Sequence, residues 1–157
     1  MATEIERKYL LVNDSWRDEV DSSCHYAQGY LSSSKRVSVR VRTSGEQAYL
    51  NLKSATLGIS RTEYEYEIPL SDADEMLANL CDGPLIEKVR YFVKRGDHTW
   101  EIDVFEGDNA GLVVAEIELQ AEDESFDMPA WVGAEVSDDP RYYNVCLVTH
   151  PYCEWTD

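Results

Sequence analysis

The chain has 157 residues, of which 43% are hydrophobic and 29% charged, and its formal net charge at pH 7 is -17. That length suits one domain with a core large enough to fold alone, so residues 1–157 are interpreted as a single domain. The excess of acid argues against nucleic acid or an anionic membrane as a partner, and no apolar run approaches the roughly 18 residues of a membrane helix.

Strands dominate the predicted elements, with few helices among them. Alternating apolar and polar residues predict eight strands, at about 3–11, 26–32, 36–43, 47–54, 61–69, 87–95, 98–105 and 112–120. A short helical stretch is predicted to begin near residues 13–15. Capping residues before an apolar stripe predict a surface helix over 72–81, and a proline start predicts a short helix over about 140–148.

The first strand carries a distinctive charge pattern. Glu4, Glu6 and Lys8 occupy alternate positions, so their side chains share one face of the strand. Neighbouring carboxylates repel each other, and a divalent cation would compensate them while the lysine holds an anion that the same metal touches. The pattern indicates metal-assisted phosphate chemistry. For this segment alone, a solvated strand face with ordinary charges is the alternative.

Polar faces return on the later strands. The alternate positions are Arg40 and Arg42, Asn51 and Lys53, Arg61, Glu63, Glu65 and Glu67, Lys88 and Arg90, Glu101 and Asp103, and Glu116 and Glu118. A simple sandwich should show an irregular polar face, whereas this repetition is typical of a closed barrel with a polar, ligand-filled interior. Basic groups inside and acids outside would give a locally positive cavity, and the acidity would also serve solubility.

The cysteines and histidines are not assigned to the site. The four cysteines show no C-x-x-C spacing, so neither a zinc site nor a redox motif is indicated. Because no signal-peptide pattern is recognised, we expect reduced cysteines and a cytoplasmic protein. His25, His98 and His150 are interpreted as structural or surface residues.

Eight further motifs follow the first one in order along the chain. They are Gln28-Gly29-Tyr30-Leu31, Val39-Arg40-Val41-Arg42, Leu52-Lys53, 61–69, Lys88-Val89-Arg90, 101–105, 115–119 and Arg141-Tyr142-Tyr143-Asn144. Together with the Glu4-x-Glu6-x-Lys8 motif, they resemble the CYTH superfamily, also called triphosphate tunnel metalloenzymes. The resemblance implies a mainly β (α+β) fold, an eight-stranded antiparallel closed β-barrel whose tunnel binds triphosphate and divalent metal, with surface and plugging helices.

The resemblance also implies roles at the matching positions. Metal ligands would be Glu4, Glu6 and Glu118, with Glu116 as a further ligand or a holder of the metal's water. A second metal would be held, or basic side chains oriented, by Glu63, Glu65 and Asp103. The polyphosphate would be bound by Lys8, Arg40, Arg42, Lys53, Arg61, Lys88, Arg90 and Arg141. The residues expected to contribute to catalysis are Lys8, Arg40, Arg42 and Glu116.

The expected function is hydrolysis of inorganic tripolyphosphate to diphosphate and phosphate, with Mg²⁺ or Mn²⁺ as the cofactor. Alternatives within the superfamily are an adenylate cyclase, a thiamine triphosphatase and a nucleoside triphosphatase. A non-catalytic polyphosphate or phosphometabolite-binding module is the alternative of another class. The expected partner is a small anionic substrate, without nucleic acid or membrane, and a homodimer is kept as an option.

Overall fold

The computed structural model describes residues 3–156, so the outermost ends of the predicted domain lie outside the described residues. Its strands are β1 (Thr3–Leu11), β2 (Ser22–Ser33), β3 (Val37–Thr43), β4 (Ala48–Ser54), β5 (Ser60–Ile68), β6 (Asp82–Arg95), β7 (His98–Phe105), β8 (Val113–Leu119) and β9 (Val132–Glu135). The α-helices are α1 (Leu70–Asn79) and α2 (Asn144–Leu147), and 3₁₀ turns cover Ser15–Glu19, Gly107–Asn109, Pro140–Tyr142 and Tyr152–Glu154. Among the described residues, no helix is long and apolar enough to span a membrane.

Eight strands close into an antiparallel barrel. Their order is β5-β4-β3-β2-β6-β7-β8-β1, and a further pairing of β5 with β1 joins the two ends. The short ninth strand extends the sheet from β1. The predicted barrel is therefore confirmed. Closure matters for function because it turns one face of every strand into a wall around a common interior.

The hydrophobic packing lies mostly on the outside of this barrel. Tyr9, Trp100 and Ile117 point outward from their strands and pack with Trp16 and Trp131 from the connecting segments. On another part of the outer surface, α1 covers β3 and β4 with an apolar face. Because the apolar faces are buried from outside, the polar faces can line the interior, which is how period-two alternation builds this tunnel.

One end of the barrel is filled by the C-terminal region. Leu147 of α2 and Tyr142 pack against Ile86, Phe105 and Val114 from the barrel strands. We call residues 137–147 the plug. Its apolar contacts close this end of the interior, whereas the cavity walls further along the strands are charged.

Several element boundaries differ from the predictions. Strand β2 begins at Ser22 and β6 at Asp82, earlier than expected, because the two strands support each other in a long ladder from Ser22↔Phe92 to Tyr30↔Asp82. The helix predicted over 72–81 occupies 70–79, directly after Pro69. The helix predicted over 140–148 is interrupted at Tyr143, whose backbone is extended (φ -74°, ψ 134°). Strand β9 was not predicted, since it depends on pairing with distant β1.

Candidate active site

A charged cavity of about 270 Å³ occupies the barrel interior. Its walls come from the alternating polar faces and from the plug. They are formed by Glu4, Glu6, Lys8, Tyr30, Ser38, Arg40, Arg42, Lys53, Gly58, Arg61, Glu63, Glu65, Lys88, Arg90, Glu101, Glu116, Glu118, Ser137, Tyr143, Asn144 and Val145. The structure thus brings nearly all of the predicted site residues together.

Arg40 is a buried cation with no anionic partner among the described residues. The residue is 8% exposed, and its Nε atom is buried without a hydrogen-bond partner. Within residues 3–156, the guanidinium makes no ion pair, and its register partners on the neighbouring strands are the uncharged Tyr30 and Asn51. A buried charge is costly unless it is paired, so this position favours an anionic ligand in the cavity.

Arg42 and Lys53 add positive charge beside Arg40. Arg42 stacks on the ring of Tyr26, with its guanidinium carbon 4.5 Å from the ring centroid. Burial and the neighbouring Arg40 lower the pKa of Arg42, so these cations repel one another in the absence of an anion. Lys53 Nζ lies 3.2 Å from Glu4 Oε1, whereas Arg42 Nη2 lies 3.8 Å from Glu65 Oε2. The charge of Lys53 is therefore better neutralised than that of Arg42.

Lys88 and Arg90 are held by a fully buried carboxylate. Asp103 accepts hydrogen bonds from Arg90 Nε at 2.8 Å and Arg90 Nη2 at 3.0 Å, and Lys88 Nζ lies 2.8 Å from Asp103 Oδ2. Burial lowers the pKa of Lys88 to about 8, although the negative charge of Asp103 acts to raise it. Asp103 is not among the cavity walls. The geometry therefore favours the orienting role predicted for Asp103 over the metal-ligand role.

Glu6, Glu101 and Glu116 form a compact carboxylate cluster. One oxygen from each lies within 4.8 Å of the others. Burial, then the nearby charge of Glu116, raises the pKa of Glu6 well above its ordinary value. Burial alone would raise the pKa of Glu116 as well, but Lys8 and Arg90 lower it well below the ordinary value. Carboxylates this close repel unless a proton or a cation lies among them, so the cluster fits a divalent metal with oxygen ligands.

The other predicted acidic residues surround this cluster less tightly. Glu118 is exposed and faces Glu6 across the β1–β8 ladder. Glu63 and Glu65 accept hydrogen bonds from Asn51 Nδ2, at 3.2 and 2.8 Å. Glu4 pairs with Lys53. The compact cluster thus contains two of the predicted metal ligands, Glu6 and Glu116, together with Glu101, which was not predicted.

The plug crosses the tunnel from wall to wall. Lys8 Nζ of β1 donates to the carbonyl oxygen of Tyr142 at 2.9 Å. Lys88 Nζ of β6 and Gln28 Nε2 of β2 donate to Asn144 Oδ1 at 3.0 and 3.2 Å. In the barrel order, β1 lies opposite β2 and β6. These bonds therefore fasten the plug across the interior and hold both lysines at its inner surface.

Arg61 and Arg141 occupy different positions relative to the cavity. Arg61 lines it, with its guanidinium carbon 5.1 Å from the ring centroid of Tyr143. Arg141 lies outside the cavity walls and bonds the carboxylate of Asp139, at 2.8 Å from Nη2 to Oδ2. Its predicted contact with the substrate stays a prediction.

Several cavity residues were not predicted as site residues. Glu101 stands two residues before Asp103, so both side chains share one face of the strand. That alternation is the signal that could have placed Glu101 among the predicted site residues. Tyr143 and Asn144 belong to the last motif, but their position depends on the folding of the plug into the barrel. Gln28 does not line the cavity, but it holds the plug through Asn144, and it has no charge to single it out.

The family of the chain follows from comparison with known proteins. The CYTH domain family model matches residues 2–143, which is most of the sequence. The chain belongs to the CYTH domain family. In this CYTH protein, the matching residues include the eight barrel strands, the ninth strand that extends the sheet, and residues 137–143 of the plug.

Two curated relatives and a solved structure are similar along nearly the full length. An inorganic triphosphatase of Acetivibrio thermocellus is 47% identical over 152 residues, covering 97% of both chains. An inorganic triphosphatase of Nitrosomonas europaea is 38% identical over 149 residues, covering 92% of this chain and 96% of the relative. The crystal structure of an inorganic triphosphatase matches with a TM-score of 0.64 and 35% identity, covering 94% of this CYTH chain and 95% of the other.

Proposed function

We propose that this CYTH protein is a metal-dependent hydrolase that converts inorganic tripolyphosphate to diphosphate and phosphate inside its tunnel. The observation that carries the proposal is the buried, unpaired guanidinium of Arg40 in a cavity rich in further cations. The names of the two full-length relatives, both inorganic triphosphatases, support the same substrate class.

The cations are proposed to bind successive phosphate groups. Arginine suits two-pronged contacts with phosphate oxygens, and lysine acts as a compact point charge. Lys8 and Lys88 would hold the phosphate nearest the plug, since both ammonium groups lie at its inner surface. The groups proposed to hold the remaining phosphates are Arg40, Arg42, Lys53, Arg61 and Arg90. Asp103 would keep Lys88 and Arg90 aimed at the substrate.

The carboxylates are proposed to hold the metal. Glu6, Glu101 and Glu116 would be the central ligands, with Glu4 and Glu118 close to them on the neighbouring strand positions and Glu63 and Glu65 as candidates for a second ion. An oxygen-only ligand set suits Mg²⁺ or Mn²⁺, and we propose one of these as the cofactor. When bound, the metal would neutralise phosphate charge and activate the attacking water.

The protein's own contribution is positioning and electrostatics. The transferred phosphoryl group gains or redistributes negative charge, and fixed cations around it lower the barrier without reorganising. Lys8 links the two parts of the site, because its Nζ lies 3.6 Å from Glu116 Oε1 and also reaches the plug. Lys8, Arg40, Arg42 and Glu116 are therefore the residues proposed to act directly on the reaction.

Incubation of the purified protein with three substrates tests the proposal. Tripolyphosphate, ATP and thiamine triphosphate are each supplied with Mg²⁺ or Mn²⁺, and products are separated by ion chromatography. Equal amounts of phosphate and diphosphate from tripolyphosphate, lost on adding EDTA, are expected. Faster turnover of ATP or thiamine triphosphate would identify that compound as the substrate in place of tripolyphosphate. Formation of cyclic AMP and diphosphate would indicate a cyclase. Binding without turnover would indicate a binding module.

The oligomeric state, the location and the domain organisation stay predictions. All of the proposed site residues come from one chain, so the site does not require a homodimer. Light scattering during gel filtration would decide between monomer and dimer. Cell fractionation would test the cytoplasmic location, and limited proteolysis would test whether the chain behaves as one domain.

A further inference from the structure

We propose that the outer wall of the barrel carries a second metal site, separate from the tunnel and selective for a transition ion such as Zn²⁺. Its ligands are His25, Glu87 and Glu106. One ligand atom from each of these side chains lies within 4.8 Å of the others. None of the three belongs to the cavity walls.

The backbone brings the three ligands together from separate segments. On the β2–β6 ladder, His25 pairs with Val89 and Ala27 pairs with Glu87, so His25 and Glu87 are diagonal neighbours. Diagonal neighbours on a sheet face lie within reach of long side chains. Glu106 directly follows β7, and its backbone N–H donates to the carbonyl oxygen of Glu87 at 3.0 Å. The site is therefore anchored to three positions of a rigid wall.

The ligands point away from the tunnel. Lys88 lines the cavity and Tyr26 contacts the cavity arginines Arg42 and Arg90. Adjacent strand residues point to opposite faces, so His25 and Glu87 face outward. Their side chains are 49% and 54% exposed, and that of Glu106 is 46% exposed. An ion in solution can thus reach them without passing through the tunnel.

The distances suit small movements into a coordination shell. His25 Nε2 lies 3.0 Å from Glu106 Oε1 and 3.9 Å from Glu87 Oε1. Ligand atoms at about 2.0–2.1 Å from a tetrahedral ion lie about 3.3 Å apart, between these two distances. Rotation of the half-exposed carboxylates would exchange the imidazole–carboxylate contact for bonds to the ion, with water completing the shell.

The donor chemistry separates this site from the tunnel. The cavity walls in the described chain contain no histidine or cysteine, and oxygen ligands alone suit Mg²⁺ or Mn²⁺. Imidazole nitrogen favours Zn²⁺, Cu²⁺ or Ni²⁺ over Mg²⁺. The net charge of -17 also concentrates cations near the surface. The outer site should therefore retain Zn²⁺ in an excess of Mg²⁺.

Imidazole NMR provides a direct test, because the chain has three histidines. Untagged protein is titrated with Zn²⁺ in the presence of excess Mg²⁺. The ring signals of His25 should shift or broaden at about one equivalent, and those of His98 and His150 should not. Unchanged His25 signals would overturn the proposal, and would leave only the contact of His25 with its two neighbouring carboxylates.

Variants identify the ligands by calorimetric Zn²⁺ titration. His25→Ala and Glu106→Gln should each weaken Zn²⁺ binding at least about tenfold, the lower end of the loss seen when even supporting groups of a metal site are removed. His150→Ala is the matched histidine control and should bind like the wild type. Glu6→Gln alters the tunnel cluster and should also leave this Zn²⁺ affinity unchanged. Equal affinity in the wild type and His25→Ala would refute the site, whether or not the tunnel hydrolyses tripolyphosphate.

Discussion

Arg40→Met is expected to separate activity from stability, because Arg40 is a buried cation that the described part of the chain does not pair. Methionine retains an unbranched apolar stem of similar length and removes the charge. In the wild type, the guanidinium lies among other cations, with Nε buried and without a hydrogen-bond partner. The substitution thus removes a contact to substrate and, at the same time, a repulsion in the empty protein.

The loss of activity follows from the kind of contact. A charge-assisted bond to a phosphate that gains charge in the transition state contributes about 2–4 kcal/mol. The expected fall in kcat/KM for tripolyphosphate is therefore about 30- to 900-fold. Phosphate release at substrate concentrations far below KM measures this ratio directly.

The expected change in stability has the opposite sign. An unsatisfied buried polar group costs about 1–3 kcal/mol, and the small exposed fraction of Arg40 places its penalty at the lower end of that range. The free energy of unfolding should therefore rise by about 1 kcal/mol, which raises the Tm by about 2–4 °C for a chain of this size. Calorimetry in EDTA, without substrate or phosphate, measures the change.

Arg36→Met provides the matched control. Arg36 is exposed and immediately precedes β3, so neither kcat/KM nor Tm should change appreciably. Wild-type activity in Arg40→Met would contradict the proposed phosphate contact. A fall in Tm of several degrees would show that the guanidinium is stabilised by the protein and not held for a ligand.

Three further predictions concern the metal, a buried lysine and the substrate. Glu6→Gln should lower triphosphatase activity at least about 100-fold while retaining the fold, because the amide keeps the shape but not the charge of a metal ligand. Glu75→Gln, on the surface of α1, is the control. Normal turnover of Glu6→Gln at limiting Mg²⁺ would count against the metal site. The pKa of Lys88 is lowered to about 8, so its side chain carries the phosphate-binding positive charge only below that pH. The kcat/KM should therefore fall as the pH rises through about 8. Lys88→Arg should move that fall to higher pH, because a guanidinium stays charged. The kcat/KM for tripolyphosphate should exceed that for ATP at least about tenfold, because ATP must also place its adenosine. The ring of Tyr26 is already covered by the guanidinium of Arg42, so that face of the ring is not free to stack on the adenine base. Faster turnover of ATP would refute this prediction.

The sequence was sufficient for the barrel and for most of its interior. Alternation on each strand assigns side chains to two faces without knowledge of the neighbouring strand. Glu6, Lys8, Arg40 and Lys53 could therefore be grouped before any strand order was known, and the structure lines one cavity with all four. Their chemical roles remain predictions, which the variants above address.

Side-chain alternation alone does not show which partner each polar residue contacts in the folded chain. Asp103 alternates like a cavity residue, but its two oxygens are occupied by Lys88 and Arg90 of the neighbouring strand. Arg141 begins the last family motif and bonds Asp139 without lining the cavity, and its contact with the substrate stays a prediction. Asn144 carries no charge pattern, and only the packing of the plug brings its amide to Lys88.

The sequence by itself therefore determined the inward and outward faces, because side-chain alternation is a local property of each strand. Only the tertiary structure decided which inward charges neutralise each other and which remain available to a ligand. That depends on strand order, on register and on where the plug ends. Arg40 and Asp103 are both inward by pattern, but barrel closure leaves the first without a partner in the described chain and surrounds the second with cations.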